Sequence, residues 1–242
     1  MNRAARLNAL AKAIDAKRYL EIGVCKGATF LAVETPFKVA VDPRFQFDIA
    51  AHAAEGLHYH EVVSDEFFCK IAKSYPPFDL IYLDGLHTFE QTFRDFCASM
   101  AYAHPRTVWV IDDTCPTNLA AAEPSLQRWA MLKKRLDIAS ASWMGDVYKL
   151  VCAIHDFFPQ MSFATFPHHG QTVVWHQPRE DFAPRWNSLK AISELGYADF
   201  VELSDSLFKR TAYEPLINQV REAYSGPVIN GEIVAGDSGA SA

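Results

Sequence analysis

The sequence of 242 residues has no apolar run approaching the roughly 20 residues that cross a bilayer, so no membrane insertion is expected. It has no basic surplus either. Its 23 Lys and Arg stand against 29 Asp and Glu, a net charge of −6, which argues against electrostatic binding to nucleic acid or an acidic membrane. The five cysteines form no CxxC pair and no zinc-like spacing. Cys25, Cys69, Cys97 and Cys152 lie in or beside apolar segments and read as reduced, buried thiols, which fits a cytoplasmic protein. Residues 1–17 lack the apolar core of a signal peptide and read as an amphipathic helix, with Leu7, Leu10, Ala11 and Ile14 on one side. No internal repeat is present.

What is there is a series of apolar runs of strand length, several ending in carboxylates or glycine. Residues 18–24, 38–42, 78–84 and 107–111 read as buried parallel strands, whose carboxyl ends bind ligands in α/β folds. Further strands are expected at 60–64, 147–155 and 172–176, with residues 166–171 as an antiparallel turn. Helices are expected at 3–16, 28–33, 49–55, 65–74, 88–103 and near 125–134. Ser64 would cap the fourth, and Thr88 with Gln91 would form a capping box on the fifth. The alternation predicts an α/β fold with a Rossmann-like, doubly wound sheet and helices on both faces over residues 1–177. A helical extension follows over 178–230, including 186–195 and 213–224. The small, polar residues 231–242 read as a disordered tail.

The turn Glu21-Ile22-Gly23-Val24-Cys25-Lys26-Gly27 leaves a strand and opens a helix, where glycines allow close approach of a ligand. It is not GxGxxG, because position 25 is Cys, and the third glycine of a dinucleotide fold is missing. Asp42 closes the next strand about 20 residues later, at the position where a carboxylate accepts bonds from ribose hydroxyls. The two features together imply an adenosine-containing ligand.

A second group lies further along. Asp84 ends one strand and Asp112 and Asp113 end its expected neighbour, so three carboxylates would converge. Unpaired, they would repel one another, and a hard divalent cation resolves this with oxygen ligands. The bland reading has one acid capping a helix and another facing solvent. His87, three residues after Asp84, would face the same cleft and could accept a proton near neutral pH. His168 and His169 could reach the cleft, but nothing in the sequence places them there.

The pattern Glu-x-Gly-x-x-x-Gly followed by an acid on strand two resembles the class I S-adenosylmethionine-dependent methyltransferases. That resemblance implies seven strands with the last antiparallel. It also implies Gly23 and Gly27 beside the methionine part of the cofactor, Glu21 supporting the turn, Asp42 on the ribose and Asp65 near the adenine. Asp65 reads equally well as a charge complementing a helix dipole. The segments Phe-Asp-Leu-Ile-Tyr-Leu-Asp-Gly-Leu-His and Val-Ile-Asp-Asp are similar to metal-dependent O-methyltransferases related to catechol O-methyltransferase. Closest are those acting on sugar hydroxyls of macrolides and other glycosides. Carried over, Asp84, Asp112 and Asp113 hold Mg²⁺ and His87 is the base. The segment from Trp143 to Lys149 also resembles one in related proteins near glycan-synthesis genes, with packing as the plain role of Trp143.

The expected function is thus Mg²⁺-dependent methyl transfer from S-adenosylmethionine to a hydroxyl of a small molecule, a sugar by resemblance. The alternatives are a non-catalytic S-adenosylmethionine-binding module, a nicotinamide-dependent oxidoreductase on a related fold, and a hydroxylase with a redox metal. The acceptor, the oligomeric state (a homo-oligomer included) and the role of 178–230 stay open.

Overall fold

In the computed structural model, residues 2–139, 142–167, 170–225, 228–229 and 232–233 are described. His168 and His169 lie outside them, as does the expected disordered tail 231–242 apart from Glu232 and Ile233.

The chain begins with α1 (Arg3–Ala13), β1 (Arg18–Ile22), α2 (Ala28–Ala32), β2 (Phe37–Asp42) and β3 (Leu57–Glu61). It continues with α3 (Ser64–Glu66), β4 (Phe78–Leu83), α4 (Phe89–Ser99), β5 (Ala103–Ile111), α5 (Leu126–Arg135) and α6 (Tyr148–Phe157). Then come β6 (Met161–Thr165), β7 (Thr172–His176), α7 (Leu189–Ser193), α8 (Tyr197–Leu203) and α9 (Tyr213–Ala223). Two short strands, β8 (Val228–Ile229) and β9 (Glu232–Ile233), pair antiparallel.

Seven strands form one sheet in the order β3-β2-β1-β4-β5-β7-β6. The pairs from β3 to β5 are parallel, and β7 runs antiparallel to both of its neighbours. The Rossmann-like sheet with its last strand reversed is therefore present. Strands buried on both faces explain the near-continuous apolar runs. One face carries Ile22, Ile81, Leu83 and Trp109 beneath Phe96 of α4, Val151 of α6 and Phe200 of α8. The other carries Tyr19, Leu80, Tyr82 and Val110 beneath Leu7 and Leu10 of α1 and Leu216 and Val220 of α9.

The strand expected at 147–155 is helix α6. A short apolar run reads alike as a buried strand or a buried helix. Here every residue from Tyr148 to Ile154 is buried, on all sides of the helix, which leaves no polar stripe in the sequence. The sixth strand is instead Met161–Thr165, after the chain has crossed back. The helix expected at 65–74 is broken: α3 runs into a π-turn, Phe67–Ile71, and a 3₁₀ turn, Ala72–Ser74. Its N-cap is Val63, while Ser64 Oγ accepts a bond from Gln91 Nε2. Only half of the expected capping box forms, Thr88 Oγ1 accepting from Gln91 N while the Gln91 amide turns to Ser64, Asp65 and Asp95. The helix expected at 49–55 shrinks to one 3₁₀ turn, Ala50–His52. Of the four thiols expected to be buried, Cys152 is, while Cys25, Cys69 and Cys97 are exposed, because an apolar neighbourhood in sequence does not fix which face a side chain takes.

The helices beyond residue 177 pack on both faces, α7 against α6 and α9 against α1. The helix expected over 186–195 starts only at Leu189 because the preceding backbone is claimed elsewhere. Asp156 of α6, fully buried, accepts bonds from the N–H groups of Arg185, Trp186 and Asn187 and from His155 Nδ1. Asp156→Ala would strand those three amides, and a loss of about 3 kcal/mol in unfolding free energy is expected from urea midpoints. A change below about 1 kcal/mol would mean that the extension is held by its apolar contacts alone.

Candidate active site

Strand register assembles the site. Ile22 pairs with Leu83 and Leu83 with Ile111, so the next residues, Gly23, Asp84 and Asp112, stand side by side at one sheet edge. The order of strands reverses between β1 and β4, and the loops leaving them diverge. Such a switch point is where open α/β sheets form a crevice.

Three positive φ values shape the turn after β1: Gly23 at 88°, Cys25 at 51° and Gly27 at 75°. At Gly23 the backbone also passes so close to Asp84 that a Cβ would overlap its carbonyl oxygen. Asp42 holds this turn from β2. Its Oδ2 accepts from Val24 N at 2.9 Å and Cys25 N at 2.8 Å, and its Oδ1 from Arg44 N at 2.7 Å. That bracing was not visible in the sequence, and it leaves Oδ1 with the greater remaining capacity for a ligand.

A cavity of about 530 Å³ opens between the turn and β4, lined by Gly23, Asp42, Val63, Asp65, Asp84 and His87 among others. The volume suits a nucleoside-sized ligand. Gly27 does not line it but stands behind, as the N-cap of α2 against the Phe47 ring. Glu21 also lies off the cavity. It is buried on the α1 face, where Tyr19 Oη donates to it at 2.6 Å and burial pushes its carboxyl up to about 8. Asp65 sits on the rim, half exposed, 2.9 Å from Arg94 Nη1 and accepting from Gln91.

The three carboxylates do converge. Successive residues of a strand face opposite ways, but Asp113 leaves β5 with φ of 59°, and its carboxyl joins that of Asp112. Asp112 and Asp113 are only 1% and 5% exposed. Tyr82 Oη donates to Asp112 Oδ2 at 2.6 Å. Burial, then the neighbouring acids, holds the carboxyls of Asp84 and Asp113 well above the usual carboxylate range. Two buried acceptors, Asp112 Oδ1 and Asp113 Oδ2, have no hydrogen-bond partner, though Asp113 Oδ2 lies 3.2 Å from His87 Nδ1. Ligand atoms of Asp84, His87 and Asp113 lie within 4.8 Å of one another. A set of hard oxygen donors plus one imidazole, with orphaned acceptors among them, fits a divalent cation such as Mg²⁺.

His87 is held from behind. Its Nδ1 is 2.9 Å from the Trp143 carbonyl oxygen, and the Trp143 indole stacks on the imidazole at 4.8 Å between centroids. A carbonyl only accepts, so Nδ1 carries the proton and Nε2 keeps its lone pair, 3.8 Å from Asp84 Oδ1. Burial lowers the His87 pKa below its ordinary value, so the neutral ring predominates at neutral pH. The segment around Trp143 is locked in place. Gly145, at φ of 63°, crosses the His87 backbone too closely for any Cβ, and Asp146 accepts from Phe89 N and Lys149 Nζ.

The sequence reading placed no functional weight on Trp143, Tyr82 or Arg3. Trp143 had a signal, because its segment stood out without an assigned role. Tyr82 is one step before Asp84 in alternation and faces α1. Arg3, which had none, reaches in from α1, its Nε 2.7 Å from Asp112 Oδ2.

Residues 20–114 match the family model of a methyltransferase domain. Over this stretch the chain is similar to methyltransferases. The match runs from β1 past the acids of β5 and takes in the glycine turn, Asp42, Asp84 and His87. The resemblance to class I S-adenosylmethionine-dependent methyltransferases is thereby borne out. No curated protein matches the chain. Among solved structures, cofactor-bound Rv0187 from MTB aligns at 14% identity over 74% of this chain and 82% of its own, with a TM-score of 0.51. The O-methyltransferase from Bacillus cereus in complex with SAH aligns at 15% identity over 72% and 80%, with a TM-score of 0.49. MycE from the mycinamycin pathway, in complex with Mg, SAH and mycinamycin VI, aligns at 18% identity over 75% and 57%, with a TM-score of 0.46. These likenesses are of fold. No helix among the described residues is long and apolar enough to cross a membrane.

Proposed function

We propose that this methyltransferase transfers the methyl group of S-adenosylmethionine to a hydroxyl of a small molecule, with Mg²⁺ at the acidic cluster. The observation that carries the reading is one continuous site. The Gly23 turn and Asp42 line a cofactor-sized cavity whose far wall is Asp84 and His87. A sugar is the acceptor favoured by the sequence resemblance.

In this reading Gly23 admits the methionine part of the cofactor to the backbone, and Asp42 Oδ1 and Asp65 face its ribose and adenine. Glu21 supports the turn from beneath, and Gly27 closes it. Mg²⁺ held by Asp84, Asp112 and Asp113 would lower the pKa of an acceptor hydroxyl. The S–CH₃ bond breaks as the O–CH₃ bond forms, and the hydroxyl proton goes to His87 Nε2. Products are S-adenosylhomocysteine, a methyl ether and a protonated imidazole, which returns its proton to water. Trp143 keeps the base in the right tautomer and plane.

Calorimetric titration of S-adenosylhomocysteine, in Mg²⁺ and in EDTA, tests the cofactor half. Binding in both is expected, and binding in neither would remove the cofactor assignment. Turnover on a panel of glycosides tests the rest. It should vanish in excess EDTA and return with Mg²⁺, and turnover that persists in EDTA would sink the metal role.

A further inference from the structure

A side chain already stands among the three acids. Arg3 is the first residue of α1, and its guanidinium meets Asp112 Oδ2 at 2.7 Å, Asp84 Oδ2 at 3.5 Å and Asp113 Oδ1 at 3.9 Å. It approaches from the α1 face, opposite His87, which reaches Asp84 and Asp113 from the other side. The arrangement compensates part of the charge: three ionised carboxylates and one guanidinium would leave −2, and the two orphaned acceptors remain beside it.

A divalent ion bridging these carboxylates would sit about 2.1 Å from their oxygens. The guanidinium nitrogens lie 2.7–3.9 Å from oxygens of the same three residues. The two cations would then be a few ångströms apart in a poorly hydrated site, where like charges repel strongly. One must yield, and the arginine is built to do so. Its side chain is 48% exposed, and it stands at the very first turn of its helix. The helix body is anchored separately, by Leu7 and Leu10 in the core and by α9. Arg3 can therefore swing into water while α1 stays docked.

We propose that Arg3 is a tethered cation that competes with the divalent ion for Asp84, Asp112 and Asp113, so that metal loading and withdrawal of the Arg3 side chain are one event. This rests on the metal-dependent reading above. Without the metal, Arg3 holds the acids together against their mutual repulsion. With it, the freed guanidinium stands at the mouth of the site. Because coupling is reciprocal, whatever draws Arg3 outward raises metal affinity by the same factor.

Mn²⁺ titration by calorimetry, with S-adenosylhomocysteine present, tests this on the wild type, Arg3→Ala and Arg3→Gln. Both variants should bind Mn²⁺ at least ten-fold more tightly than wild type. In the wild type, the Arg3 Nε–H signal in the NMR spectrum should move to the position of a water-exposed guanidinium on adding Mg²⁺, a readout that needs no substitution. Equal Mn²⁺ affinity in all three proteins overturns the inference and spares the metal reading. Weaker affinity in the variants overturns it too, and would make Arg3 an organiser of the acids. Absence of Mn²⁺ binding in all three fells the metal reading and the inference together. An Arg3 signal that bound Mg²⁺ leaves unchanged also refutes the withdrawal.

Discussion

His87→Ala is expected to cut turnover by about 10²–10⁴-fold, the usual share of a positioned general base, while S-adenosylhomocysteine affinity stays within about two-fold. The split follows from the ring's place. It forms one wall of the cavity, but its Nδ1–H faces two acceptors, the Trp143 carbonyl at 2.9 Å and Asp113 Oδ2 at 3.2 Å, so Nε2 is the nitrogen left to take a proton. The sign of the pH dependence follows from the same burial. His87 has a pKa below its ordinary value, about 6.5, so the base is ready at neutral pH and is lost as pH falls through the depressed value. Wild-type turnover should show that acid limb, and the residual activity of the variant should not. Stopped single-turnover kinetics and calorimetry separate the two quantities. An unchanged rate would take His87 out of the mechanism, and a matching loss of cofactor affinity would make it a wall and nothing more.

Gly23→Ala is expected to abolish measurable cofactor binding and to cost about 2–5 kcal/mol of stability, combining left-handed strain with overpacking. The added Cβ would overlap the Asp84 carbonyl oxygen, at a residue whose φ is already 88°. Backbone cannot move aside as a side chain tip can. The turn must shift away from β4, taking with it the Val24 and Cys25 amides that Asp42 holds. Urea midpoints and titration with S-adenosylhomocysteine measure both effects. A variant that binds normally would show that the turn has slack the geometry does not display.

Much of the fold was legible because buried parallel strands leave an unmistakable mark. Leu80 to Leu83 and Val108 to Ile111 are apolar without a break, and each stops at an acid, Asp84 and Asp112, that needs polar or cationic partners where it is buried. The convergence of Asp84, Asp112 and Asp113 needed only the inference that β4 and β5 are neighbours. Local caps were less legible. Ser64 and Gln91 satisfy their polar atoms with each other, a choice that depends on α3 and α4 lying side by side. The segment 147–155 misled because burial on every side erases the period that tells helix from strand.

The amino-acid order alone determined the sheet-forming runs, the glycine turn with its acid downstream, and the acids and histidine near the ends of two strands. These are local patterns, set by alternation, turn chemistry and the cost of burying charge. Only the tertiary structure decided that Asp42 braces the turn, that Trp143 fixes the tautomer of His87, and that Arg3 stands among the carboxylates from 81 residues away. Each of those contacts joins residues distant along the chain, and packing of α1 and of the residue 143–149 segment against the sheet edge, not any local preference, brings them together.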